Sequence, residues 1–174
     1  MHSPVEALTN EIIALQDQLV ALQHLTQPTG EQISMFHILQ RLMQTAARSI
    51  SVEIVIVWLD IPGQERREHQ CPLAAIDSDL LQDAYQKVVQ TEKHLLSHES
   101  SYAYPHPPGV NSLLLLPIHI NKVPIGMLAL VNKKNGRFTA ADIKFGYAAA
   151  QQSAMQIENL LFYEASLRQL QTQM

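Results

Sequence analysis

Residues 111–164 read NSLLLLPIHINKVPIGMLALVNKKNGRFTAADIKFGYAAAQQSAMQIENLLFYE, and this stretch decides the fold. Within it, residues 112–120 (SLLLLPIHI) and 124–132 (PIGMLALVN) are two apolar runs of strand length, separated by Asn121-Lys122. Runs of that length around a short polar turn predict a β-hairpin. Thr139 then suits an N-cap, and Asp142, three residues on, fills the acidic capping position of a long helix. The first half of that helix, 140–157, is small and apolar (Ala148, Ala149, Ala150, Ala154), so it can lie close on a sheet. Its second half changes character: Leu160, Tyr163, Leu167, Leu170 and Met174 fall at intervals of 3, 4, 3 and 4, the seam of a coiled coil.

Upstream, residues 53–61 (EIVIVWLDI) form an almost continuous β-branched and aromatic run, as expected of a central strand covered on both faces. Pro62-Gly63 signals a turn, and a weaker strand is expected over 68–75. From Ser78, the residues Leu80, Leu81, Ala84, Tyr85, Val88 and Val89 make an amphipathic helical stripe. Residues 94–97 suit a short strand, and 97–109 (SHESSYAYPHPPG) form the largest loop. Ile33, Phe36, Ile38, Leu39, Leu42, Met43 and Ala46 predict a helix that ends near Arg48-Ser49 and follows a break at Gln27-Pro28-Thr29-Gly30. Ahead of that break, Ser3-Pro4 with Glu6 forms a capping box, and Val5, Leu8, Ile12, Leu15, Leu19 and Leu22 recur at 3, 4, 3, 4, 3. That spacing predicts a dimeric coiled coil; the alternative is a helix docked on its own domain. The organisation expected is an N-terminal coiled-coil helix over 1–27, an α+β domain over 31–158 and a C-terminal coiled-coil signalling helix over 159–174.

Composition narrows the function classes. With 12 basic and 16 acidic residues among 174, the formal charge is −4, and the basic residues before Lys133 are scattered. Nucleic-acid and anionic-membrane surfaces need clustered Lys and Arg, so neither partner is expected. A single cysteine, Cys71, excludes an intrachain disulfide and a multi-cysteine zinc site, and fits a reducing compartment. No apolar run reaches membrane-spanning length and the N-terminus has no signal-peptide pattern, so a cytoplasmic location is expected.

The order helix, strand, weak strand, helix, short strand, loop, hairpin, long helix resembles the GAF fold. Pro117, Ile125-Gly126, Asn132-Lys133, Phe138-Thr139, Asp142 and Ile157-Glu158-Asn159 occur in the order and at the spacing found in GAF domains. The first 100 residues fit by element order. The resemblance implies a GAF/PAS-like antiparallel sheet, with terminal helices on one face and a pocket-forming helix and loops on the other. It also implies a sensory or regulatory module that dimerises through its flanking helices and acts on an output domain or partner protein. Asn132, Lys133, Phe138 and Asp142 match four of the five positions of the pattern seen in cyclic-nucleotide-binding members. Ile143 replaces its final glutamate, which argues for an architectural role: Lys133 reaching Asp142 across the turn, with Phe138 as a plug.

No GxSxG, P-loop or HExxH is present, so an enzyme is not expected. Cys71 has no resolving thiol and no adjacent histidine, which argues against sulfoxide reduction and covalent bilin attachment. His94 and His98 lack a ligand motif around them, which argues against a metal site, and the same holds for haem at His94, His98 or His106. Glu65 and Glu68 fall in a charged loop read as solvated. A small-molecule pocket is expected beneath the 102–109 loop and the 78–91 helix. Its candidate liners are Trp58, Tyr102, Tyr104, His106 and Ser112, since aromatics with a few polar groups suit a small planar ligand. The alternative is that these side chains fill a core, leaving a ligand-free dimerisation scaffold.

Overall fold

The computed structural model describes residues 5, 7–15, 34–72, 76–99 and 105–172. Residues 7–15 form helix α1, on which Leu8, Ile12 and Leu15 are exposed; Leu19 and Leu22, which complete the expected seam, lie outside the described residues. Helix α2 (Met35–Ala46) starts at Ser34, whose hydroxyl accepts from the His37 N–H at 3.3 Å. It runs into a wider π-helical turn, Ala47–Ser51, where the sequence pattern placed a helix end.

Strands β1 (Val52–Leu59), β2 (Arg67–Cys71), β3 (Leu95–Ser97), β4 (Leu113–Ile120) and β5 (Val123–Lys133) form one antiparallel sheet in the order β2-β1-β5-β4-β3. Between β2 and β3 lie a 3-10 turn, Ser78–Leu81, and helix α3 (Gln82–Thr91). Helix α4 (Ala140–Thr172) closes the described chain. The fold is therefore α+β with an open antiparallel sheet. Strand β2 ends at Cys71, whose thiol is exposed; residues 73–75 of the strand expected over 68–75 lie outside the described residues.

Period-2 alternation divides the sheet into two faces. Val55, Val57, Leu59, Leu114, Leu116, Leu128 and Leu130 pack beneath α2 and α4. Ile54, Ile56, Trp58, Leu113, Leu115, Met127 and Ala129 point the other way, toward Leu81, Tyr85 and Val88 of the 3-10 turn and α3. Covering both faces is why β1 is apolar almost without interruption.

The β4–β5 hairpin turns at Asn121 and Lys122, both in the left-handed region (φ 50° and 65°), as a two-residue type I′ turn requires. Gly126 meets β1 at a close approach: a Cβ there would lie 1.9 Å from the Trp58 carbonyl oxygen, so no other residue fits. Gly146 performs a similar service for α4, where a Cβ would sit 2.3 Å from Leu116 Cδ1. The small residues Ala149, Ala150, Ser153 and Ala154 continue that contact face. Ile157 is the last fully buried residue of α4, and from Glu158 to Thr172 the helix is mainly solvent-facing. No helix among the described residues is long and apolar enough to cross a membrane.

Candidate functional site

Two polar constellations stand at opposite ends of the sheet. The first surrounds Asn132, the penultimate residue of β5, buried and in the left-handed region (φ 61°), which Asn tolerates better than most residues. Its Oδ1 accepts from the Asn111 N–H (2.6 Å) and the Ser112 N–H (3.3 Å). Its Nδ2 donates to the Gly109 carbonyl (2.8 Å) and Glu53 Oε2 (3.1 Å). All four hydrogen-bonding positions of the amide are thus filled, which a buried amide requires if desolvation is not to destabilise it. The result ties the segment entering β4 to β5 and β1.

Lys133 extends the same junction. Its Nζ lies 3.1 Å from Asp142 Oδ2 and donates to the Ile50 carbonyl, so one ammonium joins the Ala47–Ser51 turn, the end of β5 and the first turn of α4. Asp142 Oδ2 also accepts from the Thr139 N–H (2.9 Å), while Thr139 Oγ1 accepts from the Asp142 N–H (3.1 Å), a reciprocal capping box. Phe138 is buried against the aliphatic cluster beneath α2 and α4. Ser112, a candidate ligand residue, instead accepts from the Lys133 N–H through its hydroxyl (2.9 Å) and belongs to this junction.

The second constellation centres on Trp58. It is fully buried, with the Tyr85 ring edge-on at 5.5 Å and 88°. The Arg66 guanidinium carbon stands 3.7 Å above its ring, a cation–π geometry, and Arg66 Nη2 donates to Gln82 Oε1 at 2.9 Å. Glu68 pairs with Trp58 across the β1–β2 ladder, so it and Arg66, two residues earlier, lie on the Trp58 face. Burial pushes the Glu68 carboxyl up, but hydrogen bonds from Ser78 and Gln70, the nearby indole and the Arg66 charge outweigh it, holding the group below the usual carboxylate range. The indole Nε1 makes no hydrogen bond of ordinary geometry, so its share of that effect is electrostatic. Burial, with the Asp60 charge second and Arg66 opposing, pushes the Tyr85 phenol above its usual value.

The described candidate liners therefore do not converge. Trp58 is level with Met127 and Pro117, whereas Ser112 lies five residues back along β4, about 17 Å away at strand spacing. His106 Nε2 sits 2.7 Å from Ser97 Oγ at the end of β3, on the Ser112 side. Tyr102 and Tyr104 lie outside the described residues. Sequence reading placed Glu68 in a solvated charged loop, and both it and Arg66 are exposed, but that reading did not bring them to the Trp58 face. The available signal was the period-2 pattern of 66–70, which places Arg66, Glu68 and Gln70 on one face once 67–71 is a strand.

His94 and His98 face the helical layer. The His94 N–H donates to Tyr147 Oη of α4 (2.7 Å), which is 3.0 Å from His94 Nδ1, and the His98 ring lies 5.9 Å from Phe138. Among the described residues no group of three or more His, Cys, Asp or Glu side chains could hold a metal ion. An open groove of about 1020 Å³ runs between the outer edge of β2 and the exposed end of α4, lined by Arg67, His69, Glu164, Leu167 and Arg168 among others. Arg66 and Glu68 line it too, so this wet groove of mixed charge borders the aromatic constellation.

A family model described as "GAF domain" matches residues 35–157. Among solved structures, the chain is similar to the GAF domain of an Acinetobacter phosphoenolpyruvate-protein phosphotransferase, with 18% identity and a TM-score of 0.65 over 84% of this chain and 93% of that one. It is likewise similar to the GAF domain of a two-component sensor histidine kinase from Bacillus halodurans (15% identity, TM-score 0.61, 75% of this chain and 98% of that one). A methyl-accepting chemotaxis protein fragment also matches (14% identity, TM-score 0.65, 83% and 99%). At these identities the likeness concerns the fold. No curated protein matches the chain by sequence.

Proposed function

The chain belongs to the GAF-domain family, and from that premise we propose a sensory or regulatory module that forms a homodimer through its flanking helices and signals to an output domain or partner protein. The similar structures come from a phosphotransferase, a sensor kinase and a chemotaxis protein, a setting that supports regulation over catalysis. In this reading the module is cytoplasmic, not an enzyme, and needs neither nucleic acid nor membrane.

One observation carries the proposal. Helix α4 outruns its own domain by 15 residues after Ile157, about 22 Å at helical rise, and presents Tyr163, Leu167 and Leu170 to solvent. Apolar residues at 3,4 spacing on an exposed helix are best buried against a second copy. A ligand or partner acting on the α3 face would then bias the rotation or register of that seam, since coiled-coil packings lie close in energy. A second reading, a ligand-free dimerisation scaffold, is favoured by how fully the α3 face is filled: Ile56, Trp58, Leu115, Met127 and Ala129 are all inaccessible to solvent.

Native mass spectrometry of the full chain purified from its own host tests both readings. A dimer with a consistent extra mass supports the sensor, and a dimer at bare polypeptide mass supports the scaffold. A monomer at micromolar concentration overturns the dimeric module in either form.

A further inference from the structure

Arg66 is an exposed residue, yet it covers the only tryptophan in the chain. The first pair of the β1–β2 ladder is Leu59 with Arg67, so Arg66 sits one residue outside the sheet, beyond the turn at Gly63 (φ 81°). Its side chain can leave without breaking a strand pair; among the described residues the stack on Trp58, the hydrogen bond to Gln82 and the charge of Glu68 hold it. Beneath it lie the Trp58 face and the edge-on Tyr85 ring, with Glu68 of β2 across the ladder. Asp60 is close enough to act on the Tyr85 phenol. The Arg66 charge acts on Glu68 and opposes Asp60 at the Tyr85 phenol, so removing Arg66 would leave the aromatic shelf beside carboxylates with no cation over it. Among the described residues the buried Trp58 Nε1 makes no hydrogen bond of ordinary geometry, and its influence on the Glu68 carboxyl places this donor on the Glu68 side of the shelf.

We propose that Trp58, Tyr85, Gln82, Glu68 and Asp60 form a recognition site for a small organic cation, occupied in this state by the chain's own Arg66. The ligand class is a guanidinium or quaternary ammonium compound carrying a neighbouring hydrogen-bond acceptor. The cation would replace Arg66 over the indole, where the ring quadrupole attracts positive charge, and the acceptor would meet the indole N–H. Arg66 is then an internal competitor: it lowers the apparent affinity by the fraction of time it occupies the shelf. Its release would free the 61–66 loop at the sheet edge. The inference deepens the sensor reading and rests on the α3 face being the ligand face.

The test uses the full chain and the fluorescence of Trp58, with methylguanidinium as the probe at concentrations far below those that unfold proteins. In Arg66→Ala, a saturable fluorescence change is expected, with a midpoint at least about tenfold lower than in the unaltered chain. Matched sodium chloride and urea should produce no saturable change, and adding Glu68→Gln should raise the midpoint again. A folded Arg66→Ala chain with no saturable response, or with the same midpoint as the unaltered chain, overturns the proposal. Should Arg66→Ala fail to fold, Arg66→Met keeps apolar cover on the ring without the charge and carries the same two outcomes. A negative titration beside a dimer in native mass spectrometry removes the cation and leaves the regulatory module standing. Saturable binding to a monomer does the reverse.

Discussion

The two faces of the sheet are built from different chemistry. Among the described residues, the face beneath α2 and α4 buries 24 apolar residues in one cluster, all aliphatic except Phe138 and Phe145. The opposite face buries 13, and its centre is an aromatic pair capped by a guanidinium from a turn. Apolar area removed from water contributes stability in proportion to its extent, so the helical face dominates the fold. What distinguishes the smaller face is polar atoms close to aromatic rings. Stability and recognition are therefore expected to respond to different substitutions.

Gly126→Ala should have the largest effect, because the added methyl would collide with the Trp58 backbone, which cannot yield as a side chain can. A loss of at least about 4 kcal/mol is expected. Urea unfolding followed by Trp58 fluorescence and by far-UV circular dichroism should shift together, since β1 and β5 serve both faces. Separate transitions would show that the two faces unfold independently.

Leu116→Ala and Leu115→Ala give the sharpest contrast. They are neighbours on β4, both fully buried, and face opposite sides. Leu116 is clamped by α4 at Gly146, so its cavity should persist and cost about 4 kcal/mol. On the other side, α3 and its preceding 3-10 turn can settle inward, and about 3 kcal/mol is expected for Leu115→Ala. Equal losses in denaturant titrations would mean that both faces are equally rigid.

Lys133→Ala should cost about 2 kcal/mol by leaving Asp142 and the Ile50 carbonyl without their cation, and no chemical turnover should be lost with it. A change below about 0.5 kcal/mol would show that the junction is not structural.

The smallest effect is a dependence on pH. The folded state raises the Tyr85 phenol, chiefly through burial, so its contribution is complete below about pH 10 and is lost as pH rises through the raised value. Tyr85→Phe should flatten stability above pH 10 relative to the unaltered chain. An unchanged slope would place the alkaline sensitivity elsewhere.

How much of this was legible in the sequence follows the range of the interaction. The hairpin, the capping box and the long helix rest on residues within a few positions of one another, and their patterns appear directly in 111–164. The Asn132–Asp142 junction was legible through its order and spacing, although the reach of Lys133 back to Ile50 spans most of the domain. The Trp58 constellation was half-legible. Trp58 stood out by residue type, but Arg66, Glu68 and Gln82 come from three separate segments, and nothing local in a charged run says which residue folds back on a ring. Ser112 was misplaced for the same reason, since its hydroxyl is claimed by a backbone N–H 21 positions away.

Helix α4 is held along its first half: Asp142 in its first turn and Tyr147 five residues on bond to the rest of the fold, and its buried face continues to Ile157. At about 1.5 Å per residue the 15 residues beyond Ile157 measure about 22 Å. That makes the projecting half a lever with its fulcrum near Ile157, where the packed face ends. A tilt of about 10° there carries the far end through about 4 Å. A displacement of atomic size at the root becomes one of side-chain size at the tip.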